Sequence, residues 1–401
     1  MRPYRALIIA ITWRTLVAGL CVLGIWHSWA FARADFLFQL NTAESLRKAI
    51  QIEPDAWKYY MRLALLDDEH APQLLETALK INAYDAQADI ELGLRLEAAG
   101  EYSKAERLLL DAFAIDHTYL PRWSLANFYL RRENLPAFWA WARRAAEMPS
   151  DSAGPLLELC WRVSPDPNEI TDRILNDDPT IIRQYLDFLF AKDQIAAAGT
   201  IALRLIQVGD STTDDSRLFS AIDRLIAAKE GHTAKALWDT LIGKHWIVAD
   251  ATFPNNATFE RDPLPVRFDW ALPSYPGLHS WPGPSGLEIE FSGSEPEDCT
   301  IAEQVLVLPP GNYHMVFSYQ TNGIPPETGV RWQILEPGAE NPLAGSSDLS
   351  SEAVNHQEMS FSVPPEASLI RIRLGYRRAL GTTRITGTLL VSSIRIFPDP
   401  R

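Results

Sequence analysis

The 401-residue sequence predicts a multidomain α + β chain: an N-terminal transmembrane helix, an α-helical solenoid of repeats, and a C-terminal antiparallel β-sandwich. Three observations predict it. Residues 15–32 hold no Asp, Glu, Lys or Arg. Over 41–244, apolar residues recur at i, i+3, i+4 and i+7, the spacing of one buried helix face. Over 245–401 that spacing gives way to alternation of period two, with 18 of the 28 prolines and no lysine. Length agrees, because one ordinary hydrophobic core does not grow to 401 residues.

The first element is the membrane helix. The run TLVAGLCVLGIWHSWAFA at 15–32 spans about 27 Å as a helix, near the hydrocarbon thickness of a bilayer. Arg2, Arg5 and Arg14 precede it. Positive charge is retained in the cytoplasm, so residues 1–34 are expected to be an anchor with its N-terminus inside. The chain is then a single-pass protein of the plasma (inner) membrane, with residues 35–401 extracytoplasmic. Trp26 and Trp29 suit the far interface. The rival reading is a signal peptide cleaved at Ala30-Phe31-Ala32. A lipidation signal at Cys21 is set aside, because bulky Leu20 stands where such signals carry a small residue.

The second element, 41–244, is read as stacked helical hairpins. Its clearest unit is QADIELGLRLEAAGEYSKAERLLLDAFAIDH, Gln87 to His117. Gly100 suits the end of the first helix. Gly93, Ala105 and Ala112 are small where two helices approach closely, and Tyr102 is placed to pack back on the pair. Leu92-Gly93, Gly100, Tyr102, Ala105 and Ala112 stand at the spacing of the tetratricopeptide repeat (TPR), a 34-residue helix-turn-helix, and the unit resembles that family. Weaker matches surround it. Ala49 and Pro54 look like the end of one repeat; Tyr60, Leu63, Ala64, Ala71 and Ala78 like a shortened second. Trp123, Leu125, Ala126, Tyr129, Ala142 and Ala145 resemble a further unit, with bulky Phe138 or Trp139 near a position expected to be small. PTIIRQYLDFLFAKDQ with IAAAGTIALRLIQVG, and SRLFSAIDRLIAAKEG with HTAKALWDTLI, read as two more pairs. A lone hairpin cannot bury its apolar face and stacked hairpins can. The resemblance implies a concave surface that holds a protein partner.

The third element is the sandwich, 245–401. Leu287, Ile289 and Phe291 alternate with Glu288 and Glu290. Tyr313, Met315, Phe317 and Tyr319 share a face, as do Val330, Trp332 and Ile334; Met359, Phe361 and Val363; and Ile370, Ile372, Leu374 and Tyr376. Pro309-Pro310-Gly311 and Asn322-Gly323 supply turns. The order of parts, from Asn255–Glu260 through Phe268-Asp269-Trp270 and Pro310–Tyr313 to a closing strand Val391–Phe397, resembles jelly-roll modules that often bind carbohydrate. That resemblance implies a glycan ligand. It also raises a structural calcium at Glu260, although Ser392 and Ser393 occupy the strand where the family places an Asp.

Candidate ligand contacts are Trp270, Tyr275 and Trp281, in the Pro/Gly-rich stretch FDWALPSYPGLHSWPGP, where they can form an aromatic platform for sugar rings. The competing reading has them cover the sandwich edge or dock it on the helices. Glu288, Glu290, Arg371 and Arg373 are read as solvated-face residues in cross-strand pairs. Asp67-Asp68-Glu69-His70 is read as a solvated turn.

Charge and motifs exclude other classes. The net charge is −14, with +4 in residues 1–34 from four arginines and −8 in 245–401 from ten arginines and 18 acids. Acidic folded parts argue against nucleic acid as a partner. Cys21, Cys160 and Cys299 form no CxxC or disulfide framework. No HExxH, GxSxG, Walker loop or GxGxxG opening a helix is present, so no catalytic residue, metal or cofactor is assigned. The expectation is a non-enzymatic scaffold that binds a protein through its repeats and contacts glycan in exopolysaccharide or cell-envelope assembly. The alternative is a glycan-active enzyme with a degenerate jelly-roll domain, since glycosidase carboxylates leave no local signature.

Overall fold

The computed structural model describes residues 2–148, 153–365, 367 and 369–399. Among them the chain forms fourteen helices followed by nine strands. It divides into two compact units, Met1–Pro165 with Glu169–Leu175, and Asp166–Asn168 with Asn176–Arg401.

The first unit opens on α1 (Arg2–Gln39), whose segment Trp13–Gln39 is long and apolar enough to cross a membrane, with a mean hydropathy of 1.5. The helix does not stop where the apolar run stops. Ala34 is fully buried and packs with Ala49 of α2 (Ala43–Ile52) and with Ala56 and Tyr59 at α3 (Trp57–Ala64). Phe38 meets Tyr59 with ring centroids 5.3 Å apart, and Asp35 pairs with Lys58 at 3.4 Å. The last turns of α1 are therefore the first helix of a hairpin with α2. A capping box starts α2: Ser45 N donates to Thr42 Oγ1 and Thr42 N donates to Ser45 Oγ, both at 3.1 Å.

Hairpins continue as α3 with α4 (Ala71–Ile81), α5 (Ala86–Ala98) with α6 (Tyr102–Ile115), and α7 (Tyr119–Arg131) with α8 (Leu135–Ala146). The helices α9 (Gly154–Val163) and α10 (Pro167–Ile174) follow. The α5–α6 pair has the expected small-residue seam. A Cβ on Gly93 would lie 3.2 Å from Leu109 Cγ, and Ala105, Leu109 and Ala112 are fully buried. Gly100 ends α5 at φ +83, and Glu101 N returns to the Leu96 carbonyl at 2.8 Å, closing the turn. In α8, Phe138 occupies the position expected to be small; it is fully buried, with Trp139 beside it at 5.0 Å. Hairpin packing absorbs the larger ring there.

The second unit contains α11 (Pro179–Ala191), α12 (Ile195–Val208), α13 (Ser211–Ala227) and α14 (Gly231–Gly243), together with the sandwich. Asp214 of α13 is fully buried and takes a two-point contact from Arg183 of α11, at 2.7 and 3.0 Å. Such a carboxylate is tolerated inside only when paired. The last helix meets the sandwich through aromatic rings: Trp238, fully buried, lies 5.9 Å from Phe268. Asp223 of α13 accepts from Arg267 N at 2.9 Å. The compositional change at His245 thus falls inside one compact unit.

The sandwich has two antiparallel sheets. One is ordered β1 (Leu278–Gly283), β2 (Gly286–Ser292), β9 (Thr386–Pro398), β4 (Gly311–Asn322), β7 (Asn355–Val363). The other is ordered β3 (Asp298–Val307), β8 (Leu369–Arg377), β5 (Val330–Leu335), β6 (Ala344–Gly345). Their facing sides form one core that includes every alternating apolar set read from the sequence, from Leu287 and Phe317 to Trp332 and Tyr376. Alternation puts the intervening residues on the outer faces.

Candidate functional site

The structure separates the three aromatics grouped from the sequence. Trp270 is a core residue, 2% exposed, between Phe259 at 4.8 Å and Trp332 at 6.0 Å. Its indole Nε1–H donates to the Asn256 carbonyl at 3.2 Å. It is therefore corrected from platform to core: a buried indole needs one acceptor for its N–H and apolar walls around its ring, and it has both. Tyr275 is half-buried against the same core, at an isolated bridge to Leu278. Trp281 alone of the three stands in the open, 42% exposed.

Trp281 lies on the edge strand β1, where the neighbouring Pro282 is tolerated because an edge need not donate on its free side. A tight hairpin holds β1 against β2, with Gly283 opposite Gly286. Gly286 has φ +130, and a Cβ there would sit 2.2 Å from the Val391 carbonyl oxygen of β9. Only glycine lets the hairpin lie this close to β9.

The cross-strand register then builds a row on the outer face. Trp281 stands opposite Glu288, Glu288 opposite Leu390, and Leu390 opposite Gln320. The next row holds Glu290, Thr388 and Asn322. Around these lies a cleft of about 370 Å³ that takes in Trp281, Ser285, Glu288, Gln320, Asn322, Thr388 and Leu390. The Gln320 side chain is anchored by donation from Nε2 to the Glu352 carbonyl at 2.7 Å. The cleft thus offers one exposed aromatic face, an aliphatic side chain, and hydroxyl, amide and carboxylate groups that donate and accept hydrogen bonds.

Gln320, Thr388 and Leu390 carry no sequence signal of a site, and Asn322, read from the sequence as a turn residue, ends β4 and lines the cleft. Gln320 and Asn322 continue the outward parity of the strand whose inward set ends at Tyr319, so their facing was readable. Their meeting with Trp281 depends on a strand order, β1-β2-β9-β4, that no local pattern reveals.

The other residues fall as follows. Arg371 pairs with Glu303 at 3.5 Å and Arg373 with Asp298 at 3.3 Å, the cross-strand pairs expected of a solvated face. Glu288 and Glu290 take no such partner among the described residues. Asp67 lies in a turn where it meets Arg47 and His70, whose contacts hold its carboxyl below the usual range. Leu92, Gly93, Gly100, Ala105 and Ala112 hold the α5–α6 hairpin together; Tyr102 does not bury against that pair but stays 42% exposed under the Arg132 guanidinium, 3.8 Å from its ring centre. Glu260 is exposed, and among the described residues no group of three or more His, Cys, Asp or Glu is placed to hold a metal ion.

Helical hairpins of the TPR type followed by a two-sheet jelly-roll sandwich define the class of chain. No family model matches the sequence, and no curated protein matches it. Solved structures do. MamA matches over 26% of this chain and 65% of its own, just under two thirds of its length, at 22% identity and a TM-score of 0.25. TTC0263, a TPR protein of Thermus thermophilus, matches over 31% of this chain and 70% of its own, at 26% identity and a TM-score of 0.26. A CBM4 structure matches over 36% of this chain and 99% of its own, at 15% identity and a TM-score of 0.29. Among solved structures the chain is thus similar to a TPR protein and to a carbohydrate-binding module.

Proposed function

We propose that this chain is a membrane-anchored, non-enzymatic interaction protein whose repeats hold a protein partner and whose sandwich contacts a glycan, in the assembly of cell-envelope or exported polysaccharide. The observation that carries the glycan part is the outer-face cleft, where an exposed indole lies beside anchored amide, hydroxyl and carboxylate groups. A pyranose ring presents an apolar C–H face and a rim of hydroxyls. Trp281 suits the first, and Glu288, Gln320, Asn322 and Thr388 suit the second. The protein partner rests on the stacked hairpins and their resemblance to TPR arrays. The anchor rests on α1, whose length and apolarity suffice for a span, and its orientation on the arginines Arg2, Arg5 and Arg14 at its N-terminal end.

The test is retention of the full chain, purified in detergent, on a panel of insoluble polysaccharides. Trp281→Ala is expected to weaken retention about tenfold or more, roughly 1.4 kcal/mol, with unchanged melting. A folded Trp281→Ala chain that is retained as well as the parent would remove this cleft as the site. Release of reducing ends from a retained polysaccharide would favour the enzyme instead.

A further inference from the structure

We propose that the glycan taken by this cleft carries protonated amines, as a partly deacetylated aminohexose polymer does, and is neither neutral nor anionic. This rests on the sugar-binding reading of the cleft and names its substrate class.

The argument is one of charge complementarity. Glu288 lines the cleft directly across from Trp281, and its Oε1 leans toward β1, 3.5 Å from where a Cβ on Gly283 would be. Glu290 follows two residues later on the same face, about 7 Å along the strand. It stands opposite Thr388, which lines the cleft, and opposite His279 of β1. Among the described residues no Lys or Arg lines the cleft.

The other acids on the strands are paired: Glu303 with Arg371, Asp298 with Arg373, and Glu358 with His314. Among the described strand residues Glu288 and Glu290 are the acids without such a pair. Two carboxylates left without a cation beside an exposed aromatic face suit a ligand that brings its own cation. An ammonium on the sugar ring would donate a charge-assisted hydrogen bond to Glu288 and be attracted to the Trp281 ring face. The −8 charge of residues 245–401 would draw a polycation and repel uronate, sulfate or phosphate polymers.

The test is titration of the full chain in detergent with three short β-1,4-linked oligomers: glucosamine, N-acetylglucosamine and glucose. Conditions are low salt and mildly acidic pH, where the sugar amines are protonated. The glucosamine oligomer is expected to bind about tenfold or more tighter than the other two, the margin shrinking with added salt. Glu288→Gln with Glu290→Gln should abolish the margin while melting stays unchanged, and Glu290→Gln alone should reduce it. Equal or tighter binding of an uncharged oligomer, still lost in Trp281→Ala, would overturn the amine preference and leave the cleft standing. A margin that survives the double substitution would also overturn it. Binding of none of the three would sink the amine preference, and retention of another polysaccharide through Trp281 would then show that the cleft itself survives.

Discussion

Asp89 sits on α5, 5% exposed, with Asp85 and Asp111 nearby. Burial first, and then those two negative neighbours, push its carboxyl up to about 7. An acid with a raised folded-state value binds its proton in the native state after the unfolded chain has released it. Stability is then fully present below the unfolded value near 4 and declines as pH rises toward 7. Asp89→Asn is expected to flatten that decline and raise the melting temperature above neutral pH, read by thermal unfolding across the pH range. A parent whose stability is level between those pH values would contradict it. Single residues were unevenly legible in the sequence. Gly93, Gly100 and Ala105 were legible because their reason is local: a close approach or a left-handed turn within one hairpin. Trp270 and Trp281 look alike in a Pro/Gly-rich stretch, yet one is core and one is open. What separates them is a carbonyl at Asn256 and a ring at Trp332, both distant in sequence.

At the scale of elements, the alternating strands were legible because each buries one face. The strand β3 was not. A bulge between Thr300 and Ala302 puts Ile301 and Ala302 both inside, which breaks the alternation that marks a strand. The edge strand β1 was hidden by its Pro and Gly content. The long apolar helix was legible, but its merger with the repeats was not, since hydropathy changes near residue 33 while the helix runs on to Gln39. That merger has a measurable consequence. Residues 33–39 supply the helix against which Ala49, Ala56 and Tyr59 are buried. A soluble chain starting at Arg33 is expected to melt higher than one starting at Asn41, by the equivalent of about 2 kcal/mol or more for losing Leu37, Phe38 and Ala34. Equal melting would mean that the end of α1 contributes nothing to the hairpin.

For the molecule as a whole, the boundary in composition and the boundary in packing differ. Lysine-free, proline-rich sequence begins at 245, whereas the compact unit begins at Asn176 and includes four helices. Composition follows secondary structure, and packing follows contacts such as Trp238 with Phe268 that no periodicity encodes. If the arginines at the N-terminal end of α1 hold the N-terminus in the cytoplasm, a reporter active only there, fused after Arg401, is expected to be silent. A strongly active reporter would invert the topology and end the envelope reading. The central claim is that glycan is held on the outer face of the five-stranded sheet. Hydroxyl-radical footprinting of the full chain, with and without a polysaccharide that retains it, tests this most directly. The account predicts protection at Trp281, with Leu390 beside it, and unchanged labelling at exposed Tyr84 and Leu380. Protection confined to the helical hairpins or to the opposite sheet, with Trp281 labelled as before, would contradict it.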